Sequence, residues 1–253
     1  MNNKPILVAA AIAALNIFAS TAQADCVILL HGLARSSASM AVMEEVLEVR
    51  GYDVVAVDYP STTADIQTLV EAAIPPALEA CGAQTTHVVA HSMGGVMTRL
   101  WLRDHDLPQL GRVVMLGTPN QGSELVDELE DIEMFHWLNG PAGAQLATGE
   151  HGIIDDLPAA SFDLGVIAGD LSFNPIFSNL VDGPDDGKVS VASTRVDGMR
   201  DHIVLNTTHT FMMTNPEVIA QTVAFIEGGA FEADLDYGAA LNRVMGWTID
   251  FLM

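Results

Sequence analysis

Positive charge is scarce in this sequence. Lys and Arg together make up 10 of its 253 residues, against 33 Asp and Glu, so the formal net charge is −23 at pH 7. The sequence contains no basic patch. Because nucleic acids and anionic lipid head groups attract proteins largely through Lys and Arg, neither is expected as an electrostatic partner.

Cysteine is also scarce, and Cys26 and Cys81 are the only two residues of this type. No Cys/His cluster has metal-ligand spacing, so no metal site is expected. In an oxidising compartment the two cysteines would form a disulfide, provided that the apolar segments beginning near them are parallel neighbours in a sheet. Such a bond would close a loop of about 55 residues and stabilise the fold by roughly 4 kcal/mol. A pair of free buried thiols is the alternative.

The start of the chain has the plan of an export signal. A short polar segment with one positive charge precedes an almost unbroken apolar run over residues 5–20. Ala22 and Ala24 then form a small-x-small cleavage site before Asp25. This order predicts a secretory signal peptide over residues 1–24, and therefore an exported protein that is periplasmic or extracellular. The run is short and rich in Ala for a membrane span, but an uncleaved N-terminal anchor is the alternative.

From residue 25 to residue 228, short apolar segments alternate with stretches of helical periodicity, and no internal repeat is present. This alternation is typical of βαβ units, so the sequence predicts an α/β fold with a mostly parallel sheet flanked by helices. The predicted strands are residues 27–30, 53–57, 87–90, 112–116, 162–168 and 203–205. The main predicted helices are residues 39–50, 63–79, 96–105 and 216–225.

Two segments depart from this alternation. Residues 124–158 mix acidic residues with large apolar ones and then become rich in Gly and Ala. We interpret this segment as a helical insertion over the site, that is, a lid, and an ordinary surface helix pair is the alternative. Residues 229–253 form a C-terminal tail with a partly helical pattern, to which the sequence assigns no role.

The most specific chemical signal is the segment Ala90-His91-Ser92-Met93-Gly94 between a predicted strand and a predicted helix. It has the small-x-Ser-x-small form of a nucleophile elbow, where the chain reverses so sharply that only Gly or Ala fits two positions before and after the serine. Such a turn exposes the serine hydroxyl at the carboxyl end of the sheet. It also places the following N–H at a helix N-terminus, whose dipole favours negative charge. We therefore predict that Ser92 is a nucleophile; a serine in an ordinary turn is the alternative.

A second signal ends the first predicted strand, where His31-Gly32-Leu33 follows an apolar run. Gly32 allows the loop to turn so that the Leu33 N–H points at a developing negative charge. Leu33 and Met93 are thus the predicted oxyanion-hole donors, and losing one such donor typically costs ~3–4 kcal/mol. We expect His31 to be a structural hydrogen-bonding residue.

Several blocks of the sequence resemble the α/β-hydrolase superfamily, in particular its small bacterial secreted lipases and esterases. The stronger blocks are Leu30-His31-Gly32-Leu33, Ala90-His91-Ser92-Met93-Gly94-Gly95, and Gly-Thr-Pro-Asn-Gln-Gly-Ser at residues 117–123. Residues 185–191 and 208–211 resemble its acid-bearing loop and its histidine loop, in the family's chain order. The resemblance implies a mostly parallel sheet of eight strands. We expect about six here, without the first two antiparallel strands, because the chain is short at its start.

The resemblance directs the search for the other catalytic groups to the late part of the chain. Of the eight His residues, His202 and His209 lie there, and His209 is the predicted base because it follows its strand at the carboxyl end. Asp186 precedes Gly187 in the acid-bearing loop and is the predicted acid that orients the imidazole. The alternative acids are Asp170, Asp182 and Asp185. Residues 182–185 are also compatible with a solvated turn or a weak calcium loop.

Together these assignments predict a serine hydrolase that cleaves carboxylic esters, an esterase or lipase. His209 would take the proton from Ser92 during attack on the ester carbonyl, and water would then release the acyl group, without a cofactor. The expected partner is a small-molecule or lipid ester, with transient contact to a lipid interface. An acyltransferase, thioesterase, amidase or phospholipase with the same three residues is an alternative. A non-catalytic binding protein on this scaffold is another.

Overall fold

The structure is a computed structural model that describes residues 24–129, 133–149 and 152–252. The strands of the sheet are β1 (Cys26–Leu30), β2 (Asp53–Val57), β3 (Thr86–His91), β4 (Leu110–Leu116), β5 (Leu164–Gly169) and β6 (Asp201–Leu205). They lie in the order β2-β1-β3-β4-β5-β6, and every neighbouring pair is parallel. The predicted α/β fold with a six-stranded sheet is confirmed. Residues 1–23 of the predicted signal peptide lie outside the described residues.

Helices cover both faces of this sheet. They are α1 (Ala41–Val49), α2 (Ile66–Cys81), α3 (Met93–Asp104), α4 (Glu124–Leu129), α5 (Glu133–Ala144), α6 (Pro175–Ser178), α7 (Pro216–Gly228) and α8 (Tyr237–Leu252). Helices α2 and α3 pack on one face, and α1, α7 and α8 pack on the other. The fold therefore has three layers, with one apolar core on each side of the sheet.

Strand β1 shows how the sequence leads to this arrangement. Cys26, Ile28 and Leu30 belong to the core under α2 and α3, whereas Val27 and Leu29 belong to the core under α1 and α7. All five residues are buried. A parallel strand in the middle of a sheet is covered on both faces, so it is apolar at every position and does not alternate.

The two cysteines form a disulfide, as predicted. Cys26 opens β1 and Cys81 ends α2, and their Cα atoms lie 5.6 Å apart. Helix α2 starts at the carboxyl edge of the sheet and runs back towards the opposite edge, where β1 begins. The bond thus fastens the end of this helix to a central strand, far from the edge where the loops of a functional site meet.

The insertion and the tail each contain helix. Helices α4 and α5 lie in the segment 124–158, and the chain kinks inside α5 at Gly140, whose φ is 63°; residues 130–132 and 150–151 lie outside the described residues. The tail forms α8, which packs on α1 and α7 with Ala240 buried. The Arg50 guanidinium lies 4.8 Å from the centre of the Trp247 ring, a cation–π contact that helps to hold α8. No helix in the described part of the chain has both the length and the apolarity needed to cross a membrane.

Candidate active site

The loops that carry the predicted site residues converge at the carboxyl edge of the sheet. Ser92 follows β3, Leu33 lies in the loop after β1, and His209 lies in the loop after β6. Asp186 belongs to the long connection between β5 and β6. Parallel strands present all their carboxyl ends at one edge, which is where ligands bind in open α/β sheets.

Ser92 sits at a strained turn between β3 and α3. Its φ is 56°, and Ala34 is the only other described residue besides Gly with a positive φ. Its N–H donates to the Leu116 carbonyl over 2.9 Å, which ties the turn to β4. A Cβ added to Gly94 would lie 2.7 Å from the carbonyl oxygen of Leu30. The crowding explains why the position two residues after the serine is a glycine, and strain of this kind collects at functional sites.

A continuous hydrogen-bond chain links Ser92, His209 and Asp186. The Nε2 atom of His209 lies 3.0 Å from the Ser92 hydroxyl oxygen, and its Nδ1 atom lies 2.7 Å from Oδ2 of Asp186. A carboxylate can only accept, so the imidazole donates through Nδ1–H and offers the Nε2 lone pair to the serine hydroxyl. The sequence had suggested these three residues separately, and the fold brings them together from positions up to 117 residues apart.

The Asp186 carboxylate is held rigidly in its loop. Its Oδ1 atom accepts the backbone N–H groups of Lys188 at 3.0 Å and Val189 at 2.9 Å. The backbone N–H of His209 donates to the Asp186 carbonyl over 2.9 Å. The carboxylate is buried, and Oδ2 is directed at the imidazole because Oδ1 is already occupied.

The loop after β1 packs directly against the serine. A Cβ on Gly32 would lie 3.0 Å from the Ser92 Cβ, so only glycine allows this approach. Within the described residues, neither the Leu33 N–H nor the Met93 N–H donates to a protein acceptor. Met93 directly follows Ser92, and Leu33 lines the same cavity as Ser92, so both N–H groups are candidates for an oxyanion hole, which requires free donors near the reacting atom.

A cavity of about 230 Å³ opens onto Ser92 and His209. Its wall is mainly apolar, and the apolar residues that line it are Leu33, Pro119, Leu125, Val126, Leu129, Leu146, Phe177 and Val189. Part of this wall comes from α4 and from Leu146, just after α5, so the insertion contributes to the lining of the cavity. No group of His, Cys, Asp or Glu suited to a metal ion occurs among the residues that the structure describes.

Comparison with known families decides the classification. The sequence family described as "alpha/beta hydrolase fold" matches residues 25–163, which is more than half of the chain. The chain belongs to this family. No curated protein gives a significant sequence match to this hydrolase.

Solved structures agree with this fold. The mature lipase BlEst2 from Bacillus licheniformis aligns with a TM-score of 0.60 at 21% identity, over 81% of this chain and 90% of that one. An esterase from Exiguobacterium antarcticum aligns with a TM-score of 0.57 at 15% identity, over 82% of this chain and 93% of that one. The phospholipase PlaB from Legionella pneumophila aligns with a TM-score of 0.62 at 15% identity, over 90% of this chain and 63% of that one.

The other candidate residues of the hydrolase have local partners away from Ser92. His202 is hydrogen-bonded to the Thr194 hydroxyl at 2.9 Å, and burial lowers its pKa to about 4. Asp185 accepts from the Ser178 hydroxyl and from the Gly187 N–H. Asp170 accepts from Asn206, and Asp182 is exposed.

His31 has the structural role expected from the sequence. Its ring stacks on Tyr59 at 3.9 Å, and its Nε2 atom accepts the Tyr59 N–H over 3.3 Å. Its Nδ1–H donates to the Gly32 carbonyl over 2.8 Å. Burial lowers the pKa of His31 and keeps the ring neutral, so this residue fixes the loop beside Ser92.

Two residues that the sequence analysis did not single out support the His209 side chain. His91 Nε2–H donates to the His209 carbonyl over 3.0 Å, and burial lowers the pKa of His91 well below its usual value. A Cβ on Gly117 would lie 3.0 Å from Oδ2 of Asp186 and 3.1 Å from Nδ1 of His209. Both residues lie within the sequence segments that resemble the α/β-hydrolase superfamily. That resemblance was the signal in the sequence that could have pointed to them.

Proposed function

We propose that this α/β hydrolase is an exported esterase or lipase that cleaves carboxylic esters through an acyl-enzyme. Ser92 is the nucleophile, His209 the general base and Asp186 the residue that orients the base. The observation that carries the proposal is the position of His209, whose two ring nitrogens face the Ser92 hydroxyl and the Asp186 carboxylate at 3.0 Å and 2.7 Å.

The mechanism follows from these contacts. His209 Nε2 takes the hydroxyl proton as Ser92 attacks the ester carbonyl, and the buried Asp186 carboxylate stabilises the resulting imidazolium. The N–H groups of Leu33 and Met93 hold the negatively charged oxygen of the tetrahedral intermediate. The imidazolium then protonates the departing alcohol, and water releases the acyl group by the same route.

The cavity favours an ester with an apolar part. Its wall is mainly apolar, and the aligned structures are those of a lipase, an esterase and a phospholipase. The segment 124–158 serves as a lid in this proposal because it supplies part of that wall. Phe173, Ile176 and Phe211 are exposed, and Phe173 and Phe211 line a second cavity next to His209. These side chains support transient contact with a lipid interface.

Export is supported by the disulfide between Cys26 and Cys81. Disulfides form and persist in oxidising compartments and are rare in the cytosol. Cleavage of the signal peptide after residue 24 would leave Cys26 at the second position of the mature chain. On this basis the proposal assigns the mature protein to the periplasm or to the outside of the cell.

Hydrolysis of p-nitrophenyl esters of increasing acyl length tests the proposal. Ser92→Ala is expected to lower kcat by at least about a thousandfold, because it removes the nucleophile. Thr248→Ala is the matched control, since this hydroxyl donates to Val244 within α8 and lies away from the cavity. A fluorophosphonate probe is expected to label the wild type and the control but not Ser92→Ala. Equal hydrolysis by wild type and Ser92→Ala would disprove the proposal, and absence of labelling would indicate a binding protein.

A further inference from the structure

Most cations in the described part of the chain have protein partners. Five arginines form ion pairs with carboxylates, namely Arg50, Arg103, Arg112, Arg200 and Arg243. Arg99 is buried and donates to the carbonyls of Asn120, Leu157 and Pro158. This leaves Arg35, Lys188 and Arg195 as the described cations whose side chains have neither an ion pair nor a hydrogen bond. With 33 Asp and Glu in the sequence, this cannot reflect a shortage of carboxylates.

Two of these three unpaired cations line the cavity that contains Ser92. Arg35 comes from the loop after β1, and Lys188 comes from the loop that carries Asp186. Asp186 attracts the Lys188 ammonium group but forms no ion pair with it, because its Oδ2 atom bonds His209 and its Oδ1 atom accepts backbone N–H groups. Arg195, by contrast, lines a different cavity that also contains Asp155 and Asp197.

The two cations are close enough to affect each other. Lys188 is an exposed residue, yet partial desolvation lowers the pKa of its ammonium group, the charge of Arg35 lowers it further, and the charge of Asp186 opposes these two effects. Holding two like charges at one cavity, neither of them in an ion pair with a carboxylate, is unfavourable. A negatively charged ligand would remove this penalty.

We propose that Arg35 and Lys188 together bind an anionic group of the substrate, so that the preferred substrates are esters that carry a carboxylate or a phosphate. This inference rests on the proposed ester hydrolysis at Ser92 and adds the substrate class. Arg and Lys are the side chains that bind such groups, through charge-assisted hydrogen bonds. The apolar wall of the same cavity takes the hydrocarbon part, which makes the substrate an amphiphilic acid ester.

The large negative charge of the protein restricts this substrate to small, soluble molecules. A net charge of −23 repels an extended anionic surface. A small anion inside the cavity is affected mainly by the two nearest cations, because charges beyond about 8–10 Å are screened at physiological salt. A monomeric ester with one anionic group therefore fits the site better than a lipid in an anionic membrane.

The test compares kcat/KM for matched anionic and neutral esters. The first pair is mono-p-nitrophenyl glutarate and its methyl ester, and the second is 1-octanoylglycerol 3-phosphate and 1-octanoylglycerol. The ratio of anionic to neutral kcat/KM is measured for each pair, which separates carboxylate from phosphate as the recognised group. Arg35→Gln and Lys188→Gln are each expected to lower the ratio for at least one pair by about tenfold, the loss of one charge-assisted contact.

Charge-preserving and remote variants complete the design. Lys188→Arg and Arg35→Lys are expected to keep most of the preference, whereas Arg195→Gln should leave the ratio as in the wild type because it lies at another cavity. Melting temperatures of all variants verify folding. If neutral esters are hydrolysed in a Ser92-dependent way but neither ratio falls in Arg35→Gln or Lys188→Gln, this inference is wrong and the proposed function stands. If wild type and Ser92→Ala hydrolyse all four esters equally, the proposed function fails and this inference with it.

Discussion

Replacing Asp186 by Asn tests the orientation of His209 with almost no change of shape. The Oδ1 atom of Asp186 accepts the N–H groups of Lys188 and Val189. In the variant, the amide oxygen must therefore take the Oδ1 position, and the NH₂ group turns towards His209. That NH₂ donates to Nδ1, which forces the proton of the neutral imidazole onto Nε2. An Nε2–H group cannot accept the proton of Ser92, so the base is disabled although the geometry is preserved.

The size of the effect follows from the same contacts. The opposite rotamer of the Asn side chain would restore the correct tautomer, but it would leave two buried N–H donors unsatisfied, at about 1–3 kcal/mol each. A total of about 2–6 kcal/mol limits the productive rotamer to between roughly 3% and 0.004%. We therefore expect kcat to fall by about 30-fold to 3 × 10⁴-fold, with loss of the charge that stabilises the imidazolium as an additional cost.

The assay is steady-state hydrolysis of p-nitrophenyl butyrate, with melting temperatures to show that the variant folds. Asp185→Asn is the control, because Asp185 accepts from Gly187 and Ser178 rather than from His209. This control is expected to keep kcat within about threefold of the wild-type value. An Asp186→Asn variant that retained more than about 3% of wild-type kcat would refute the tautomer argument, because the productive rotamer is at most roughly 3% populated.

Three further predictions concern the scaffold. Replacing Cys26 and Cys81 together by Ala should lower the free energy of unfolding by about 4 kcal/mol, since the bond spans 55 residues; an unchanged urea midpoint would contradict this. Gly117→Ala should lower kcat about tenfold or more with less effect on KM. The φ of Gly117 is 56°, and the methyl group of the new alanine would displace Asp186 and His209. An unchanged kcat would show that Asp186 and His209 tolerate this displacement. The pKa of His202 is lowered to about 4, so burying the neutral ring contributes stability that is complete above pH 6.5 and lost as the pH falls towards 4. The melting temperature of the wild type should therefore fall more steeply between pH 6.5 and pH 4 than that of His202→Gln.

The sequence revealed the sheet because strand patterns are local. Every residue of Cys26–Leu30 is apolar and buried. A continuous apolar run of this kind predicts a buried strand from the local sequence alone, without knowledge of the strands that pair with it. Helix ends were less accurate: the helix predicted from residue 63 begins at Ile66, because Asp65 caps it through the Thr68 N–H. The tail was harder still, since the role of α8 depends on contacts with α1 and α7 that no local pattern reveals.

The same distinction applies to the candidate site. Ser92, Asp186 and His209 each lie in a motif with a recognisable local form, so they could be named from the sequence. The unpaired cations could not, because pairing is a long-range property: the partner of Arg50 is Glu227, 177 residues away. The sequence shows how many Lys and Arg residues exist, but only the fold shows that Arg35 and Lys188 are left without carboxylates.

In the proposed function, the loop that carries Asp186 and Lys188 would link catalysis and specificity in one hydrogen-bonded unit. The Lys188 N–H bond to Asp186 Oδ1 helps to aim the carboxylate at His209, and it also fixes the point from which the Lys188 side chain reaches the cavity. Arg35 enters from an independent loop after β1, next to the proposed oxyanion donor Leu33. An anion held between the two cations would therefore draw together the loop that orients the base and the loop that holds the oxyanion. Binding energy from a remote group of the substrate could in this way be used to align the reacting groups, which is how remote contacts raise kcat as well as lowering KM.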